Sequence, residues 1–254
     1  MQMLAAFSPW GTVSPATFAA LLLIALVAGC ARGFSGFGAG LIFIPLASML
    51  IGPQKAAALL LITDLVGAIP TIPPAWQQAE RRPVLIMVLG ALFGMPLGLA
   101  ALLVVDPVAV RWGICAIVLG LLALLISGWR WKGAARAPAL MAAGGLGGIL
   151  SGLAQIGGPP IVAFWLGMPR PLTMLRANIM LYFALTSIAS LVFYGLGGLI
   201  GAPVIGLAVF VMPAYMGGVL LGMRMFGLAD PAVFRWLSMA LIALAAITGM
   251  PVWG

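Results

Sequence analysis

Ten apolar runs follow one another along this chain, each closed by proline, glycine or charge: 16–31, 40–51, 55–74, 83–105, 107–128, 138–153, 159–168, 175–195, 203–223 and 231–252. Their lengths and punctuation read as helices. A helix needs ~20 mostly apolar residues to cross a bilayer, and six or more of the runs reach that length. The second and seventh runs are too short, and each directly follows a glycine-rich stretch, 33–40 or 152–158. Those two stretches are the expected helix breaks.

Composition turns this pattern into a fold class. Of 254 residues, 64% are hydrophobic and 6% charged, with a mean hydropathy of +1.25. No soluble fold hides so much apolar surface. The expectation is an all-α integral membrane protein: one membrane domain over 1–254, with about eight full spans plus broken or re-entrant helices. The net charge of +8 does not imply nucleic acid, because the twelve cations lie singly or in pairs at the ends of apolar runs. They read as topology signals. With the first run entering from outside and Arg32 set aside because it lies at a break, Arg81, Arg82, Arg130, Lys132, Arg136, Arg170, Arg176, Arg224 and Arg235 fall at inner boundaries, against Lys55 and Arg111 outside. The expected location is therefore a bacterial inner membrane, multi-pass, with both termini periplasmic. Cys30 and Cys115 lack metal-ligand spacing and the chain has no histidine, so neither metal nor cofactor is expected. Leu26–Cys30 looks like a lipobox, but no basic residue precedes Arg32 to complete a signal peptide.

The chain repeats itself. Asp106-Pro107-Val-Ala-Val-Arg111-Trp112 recurs as Asp230-Pro231-Ala-Val-Phe-Arg235-Trp236, and Ser35-Gly36 and Pro83 recur in the same order as Ser151-Gly152 and Pro203. Repeats over approximately 14–129 and 137–254 would each hold five segments. An odd number turns the second half upside down, as in the inverted repeats of secondary transporters. Inversion also explains why Arg111 violates the charge rule while its twin Arg235 obeys it. The aspartate and proline that open both copies read locally as N-cap and first helical residue.

In such an architecture the two glycine-rich breaks meet near the bilayer midplane, where irregular backbone is tolerated only if it lines a cavity or is buried in protein. The returning helices, starting near Gly40 and Pro159, would aim their N-termini at a shared centre, and free N–H groups with a positive dipole end suit an oxyanion. The isolated Gly90, Gly94 and Gly98 read instead as close-packing positions between helices. Arg32 adjoins the first break and serves either an anion there or topology at the end of an unbroken span. Asp64 is the carboxylate placed inside an apolar run; it pairs with Arg32 or carries a coupling proton. Asn178, Tyr182, Thr186, Ser190 and Tyr194, four residues apart, form one polar stripe that either binds neighbouring helices or lines the substrate path. Gly33-Phe-Ser-Gly36 matches the nucleophile element of rhomboid proteases, but the base those enzymes need is a histidine, so catalysis is not expected.

Arg32-Gly33-Phe-Ser-Gly36-Phe-Gly38-Ala-Gly40-Leu-Ile-Phe-Ile-Pro45 and Gly152-Leu-Ala-Gln-Ile-Gly157-Gly158-Pro159-Pro160 resemble the two motifs of the TauE/SafE sulfite exporter family, also called the toluene sulfonate uptake permease family. The likeness covers essentially the whole chain. It implies a secondary transporter, most simply an exporter, of sulfite or an organosulfonate such as sulfoacetate. Residue by residue, Ser35, Gly36, Gly38, Gly40 and Pro45 match the first motif and Gly152, Gly157, Gly158 and Pro159 the second. The second break holds Gln155 and its neighbour as additional residues, so ligand contacts need not be symmetric. The expected substrate-binding set is Arg32, Ser35, Gly36, Gly38, Gly40, Gln155, Gly157, Gly158, Asn178 and Tyr182, with Asp64 the coupling candidate. The expected partners are a small anion, the lipid bilayer and protons as coupling ion. A non-transporting membrane scaffold or, less simply, an intramembrane enzyme are the competing readings.

Overall fold

The computed structural model describes residues 13–35, 38–68, 72–225 and 231–252. They form helices α1 (Pro15–Ser35), α2 (Ala39–Ile51), α3 (Pro53–Ala68), α4 (Ile72–Gln78), α5 (Arg81–Val104), α6 (Pro107–Ser127), α7 (Ala137–Ala154), α8 (Gly158–Trp165), α9 (Leu172–Leu196), α10 (Ala202–Met225) and α11 (Pro231–Gly249), with no strand among the described residues. Helix boundaries follow local chemistry. Asp106 accepts from the amides of Val108 and Ala109 at 2.9 and 3.1 Å, the N-cap expected of it, with Pro107 opening α6. Its counterpart Asp230 lies outside the described residues.

Among the described residues six helices (α1, α5, α6, α7, α9 and α10) are long and apolar enough to cross a membrane, or up to seven spans if α3 and α4, inclined at 67°, form one broken span. The eight full spans expected are not all found among the described residues, where α11 counts only from Trp236. Residues 55–74, one run in the sequence, are divided between α3 and α4, and α4 carries Pro73 and Pro74 in its first turn, where the missing amides cost nothing. The 13 residues of α2 reach only ~20 Å at 1.5 Å per residue.

Two helix pairs dominate the packing, each in register and parallel along glycines. A Cβ on Gly90, Gly94 or Gly98 of α5 would overlap the carbonyl oxygens of Met141, Gly145 and Ile149 of α7, and one on Gly144, Gly148 or Gly152 would overlap those of Met87, Ala91 and Met95. The same reciprocity joins α1 to α10: Gly29 and Gly33 lie against the carbonyls of Tyr215 and Val219, and Gly218 and Gly222 against those of Leu26 and Cys30. Backbones can approach this closely only where side chains are absent, and in lipid such contact replaces the hydrophobic drive available in water. The packing role read for Gly90, Gly94 and Gly98 is thus what the structure holds. One residue before each of these glycines, about 100° round α5, Leu89, Phe93 and Leu97 are exposed, as a lipid-facing surface requires.

The polar stripe on α9 is buried throughout. Asn178 Oδ1 accepts from the Glu80 amide at 2.7 Å, Ser190 Oγ approaches Met95 Sδ at 3.8 Å, and Tyr194 donates to the carbonyls of Ser151 and Gly152 at 3.2 and 3.0 Å. These contacts join α9 to α5 and α7. Glu80 also pairs with Arg170 at 3.2 Å, and the Trp131 amide donates to Ala163 at 3.1 Å. The segments bearing Arg81, Arg130 and Arg170 thereby meet at one end of the bundle.

Candidate functional site

The two glycine-rich breaks meet. After α1 ends, Gly38 adopts φ 101°, a left-handed conformation that favours glycine, and α2 starts at Ala39. In the second half, α7 ends on Gln155, whose φ of 56° makes it the one non-glycine residue with positive φ among those described. The Gln155 and Ile156 amides fold back onto the carbonyls of Ser151 and Leu150 at 3.0 and 3.3 Å, and Gln155 Nε2 donates to Ser151 at 2.9 Å. This is a Schellman-type end with glutamine where glycine is usual, a strained choice of the kind that collects at functional positions. A Cβ on Gly40 would overlap the Gln155 carbonyl oxygen, so the first turn of α2 rests on the end of α7.

Between the breaks lies a cavity of about 60 Å³, lined from the first half by Arg32, Gly38, Ala39, Gly40 and Asp64, and from the second by Ser151, Gln155, Gly157, Gly158 and Phe183, among others. One water needs ~10–15 Å³ of such space, so the cavity suits a few waters or one small polyatomic ion. Helices α2 and α8 both begin at its wall. First-turn amides have no partner within their own helix, but Pro159 and Pro160 have no N–H. The α2 end therefore offers amides at Ala39 and Gly40, and the α8 end chiefly those of Gly157 and Gly158.

Arg32 Nε meets Asp64 Oδ1 at 2.6 Å, with the two side chains 20% and 23% exposed. The Tyr215 hydroxyl, from α10, donates to the same oxygen at 2.6 Å. The ion pair cancels, and the positive ends of α2 and α8 meet the negative ends of α1 and α7 at the same wall, so what the wall offers is the Arg32 guanidinium and first-turn amides rather than a net dipole charge.

A family model described as "Sulfite exporter TauE/SafE" matches residues 21–249, nearly the whole chain. The chain belongs to the TauE/SafE family. Membership makes it a multi-pass membrane transporter of the sulfur-anion exporter type, and the family is one of transporters, not enzymes. Searches of curated proteins and of solved structures find no match.

In this TauE/SafE chain the predicted residues Arg32, Gly38, Gly40, Asp64, Gln155, Gly157 and Gly158 share one cavity. Gly36 and the side chain of Ser35 lie outside the described residues. Asn178 and Tyr182 do not line the cavity: Asn178 holds Glu80, and the Tyr182 ring is fully buried beside Phe183. The polar or aromatic residues outside the expected set are Ser151 and Phe183 on the cavity wall and Tyr215, which enters through Asp64. Tyr215 had a signal, since a tyrosine within an apolar span needs a partner for its hydroxyl, and Asp64 was the one carboxylate at membrane depth.

Proposed function

We propose that the protein moves a small sulfur-containing oxyanion, sulfite or an organosulfonate of sulfoacetate type, outward across a bacterial inner membrane, binding it between the breaks at 33–40 and 152–158. The observation that carries this reading is the convergence of Arg32 and the N-termini of α2 and α8 on one cavity. A sulfonate presents three oxygens, which match a guanidinium fork and several amides at once. Asp64, already on Arg32, is the group through which a proton couples.

The reading includes two inverted halves of five segments, at approximately 14–129 and 137–254. Its support is directional. Helix α5 runs parallel to α7 and α10 runs parallel to α1. Helix α9 starts beside Glu80, where α5 starts, and its 25 residues reach ~37 Å, enough to carry the chain to the other face before α10 begins. Helices α1 and α7 therefore enter from opposite faces and end at the same cavity. With the Arg81, Arg130 and Arg170 end taken as cytoplasmic, the positive-inside rule holds and both termini are periplasmic.

The test is the thermal stability of the purified protein in detergent with sulfite, thiosulfate, sulfate, sulfoacetate and taurine. A ligand of the folded state stabilises by RT ln(1 + [L]/Kd), or ~2.7 kcal/mol at a hundredfold excess over Kd. A sulfur oxyanion is expected to raise Tm saturably at constant ionic strength. Identical Tm in all five overturns the assignment.

A further inference from the structure

Asp64 Oδ1 is shared by two donors on different helices, Arg32 Nε of α1 and the Tyr215 hydroxyl of α10. Tyr215 is fully buried, and its backbone carbonyl lies against Gly29 in the α1–α10 pair. The glycine contact that fixes the two helices thereby also fixes the hydroxyl. Among the described residues no other ionisable group lines the cavity beside Asp64; Lys55 lies at the far end of α3 and Arg224 in the last turn of α10. Helices α2, α7 and α8 contain none. On α9, Arg176 is exposed, Tyr194 is committed to the Ser151 and Gly152 carbonyls, and Tyr182 does not reach the cavity. Arg81 of α5 lies over Trp76, Arg82 is exposed, Arg111 of α6 donates to Gly249, and Cys30 of α1 faces Met225.

We infer that Tyr215 is a positioning residue that holds Asp64 as the internal counterion of Arg32, so that anion occupancy of the cavity is linked to a proton on Asp64. This rests on the oxyanion reading above. While Asp64 is ionised, it occupies one edge of the guanidinium and repels an arriving anion across the small cavity. A proton taken from water onto Asp64 removes that repulsion and releases Arg32 to the anion; the same proton returns to water when the anion leaves. Empty and loaded sites then carry equal net charge. The Tyr215 hydroxyl, by donating to the carboxylate, sets how acidic the surroundings must be before the exchange occurs.

The experiment measures the Kd of methanesulfonate, whose charge is constant over the titration, as a function of pH for the wild type, Asp64→Asn, Tyr215→Phe and the double variant, with Tm recorded for each. Wild-type affinity is expected to rise as pH falls and then level off. Asp64→Asn should bind at the plateau affinity at every pH. Removing a donor to the carboxylate makes it easier to protonate, so Tyr215→Phe should move the profile upward by about one to two pH units, the equivalent of one hydrogen bond to a charged group. In the Asp64→Asn background Tyr215→Phe should leave the profile flat with pH, because any effect through the Tyr215 contact to Arg32 carries no proton. A lowered Tm with an unmoved profile would mean that Tyr215 is only structural, and a flat wild-type profile would mean that no proton is linked; either overturns the inference and leaves the oxyanion site standing. Failure of the wild type to bind methanesulfonate and sulfoacetate at any pH overturns both.

Discussion

The two helix breaks share a wall and differ in what they bring to it. The first brings a fixed cation, Arg32, its counterion and the first-turn amides of Ala39 and Gly40, behind a glycine at φ 101°. The second brings no charge at all: its α8 end is depleted of amides by Pro159 and Pro160, and its turn is held by Gln155 at φ 56° through contacts to α7 itself. The difference separates two tasks. On the proposed reading, the first side, which holds the Arg32–Asp64 pair, responds to the ligand, and the second side supplies backbone.

The comparison is broken most severely by filling the contact between the walls. Gly40→Ala drives a methyl into the Gln155 carbonyl, and neither is the movable end of a side chain. The expected result is a stability loss of ~1–3 kcal/mol together with the loss of any anion-dependent rise in Tm. Normal anion binding by this variant would mean that the breaks do not form one site.

Next in size is the contrast of charge with shape. Arg32→Ala should weaken sulfite or sulfoacetate binding by roughly ten- to hundredfold, the worth of a charged hydrogen bond at ~1.5–3 kcal/mol. Arg32→Lys should recover part of this, because a point charge lacks the planar fork. Gln155→Ala, on the uncharged wall, should change affinity by less than about threefold, since a neutral contact contributes ~0.5 kcal/mol or so. Titration of the three proteins measures the asymmetry, and equal losses from both walls would erase it.

The smallest effect is expected behind the second wall. Tyr194→Phe removes a donor from the carbonyls of Ser151 and Gly152, but Ser151 keeps the Gln155 amide and side chain. Stability should fall by ~1 kcal/mol with no change in anion affinity, as read by denaturation and titration on the same sample. A shift in affinity would make the second wall more than a support.

The sequence by itself determined the helical membrane class, the placing of the two breaks at 33–40 and 152–158, and the family, because a helix in lipid must satisfy its own backbone and so announces its length and its interruptions in composition alone. It also brought Arg32, Asp64 and the break glycines forward as candidates, since charge and bare backbone at membrane depth are costly without a purpose. Only the tertiary structure decided how these residues meet. Tyr215 stands 151 positions from Asp64, and no local signal encodes which face of α10 turns toward α3; the register of the glycine contacts between α1 and α10 does. The stripe on α9 failed as a guide for the same reason. Spacing of four put Asn178 and Tyr182 on one face, but the neighbour on that face was Glu80 for Asn178 and packed side chains for Tyr182. Periodicity fixes which residues share a face, whereas the partner of a face is set by helix-to-helix register, a property of the assembled bundle.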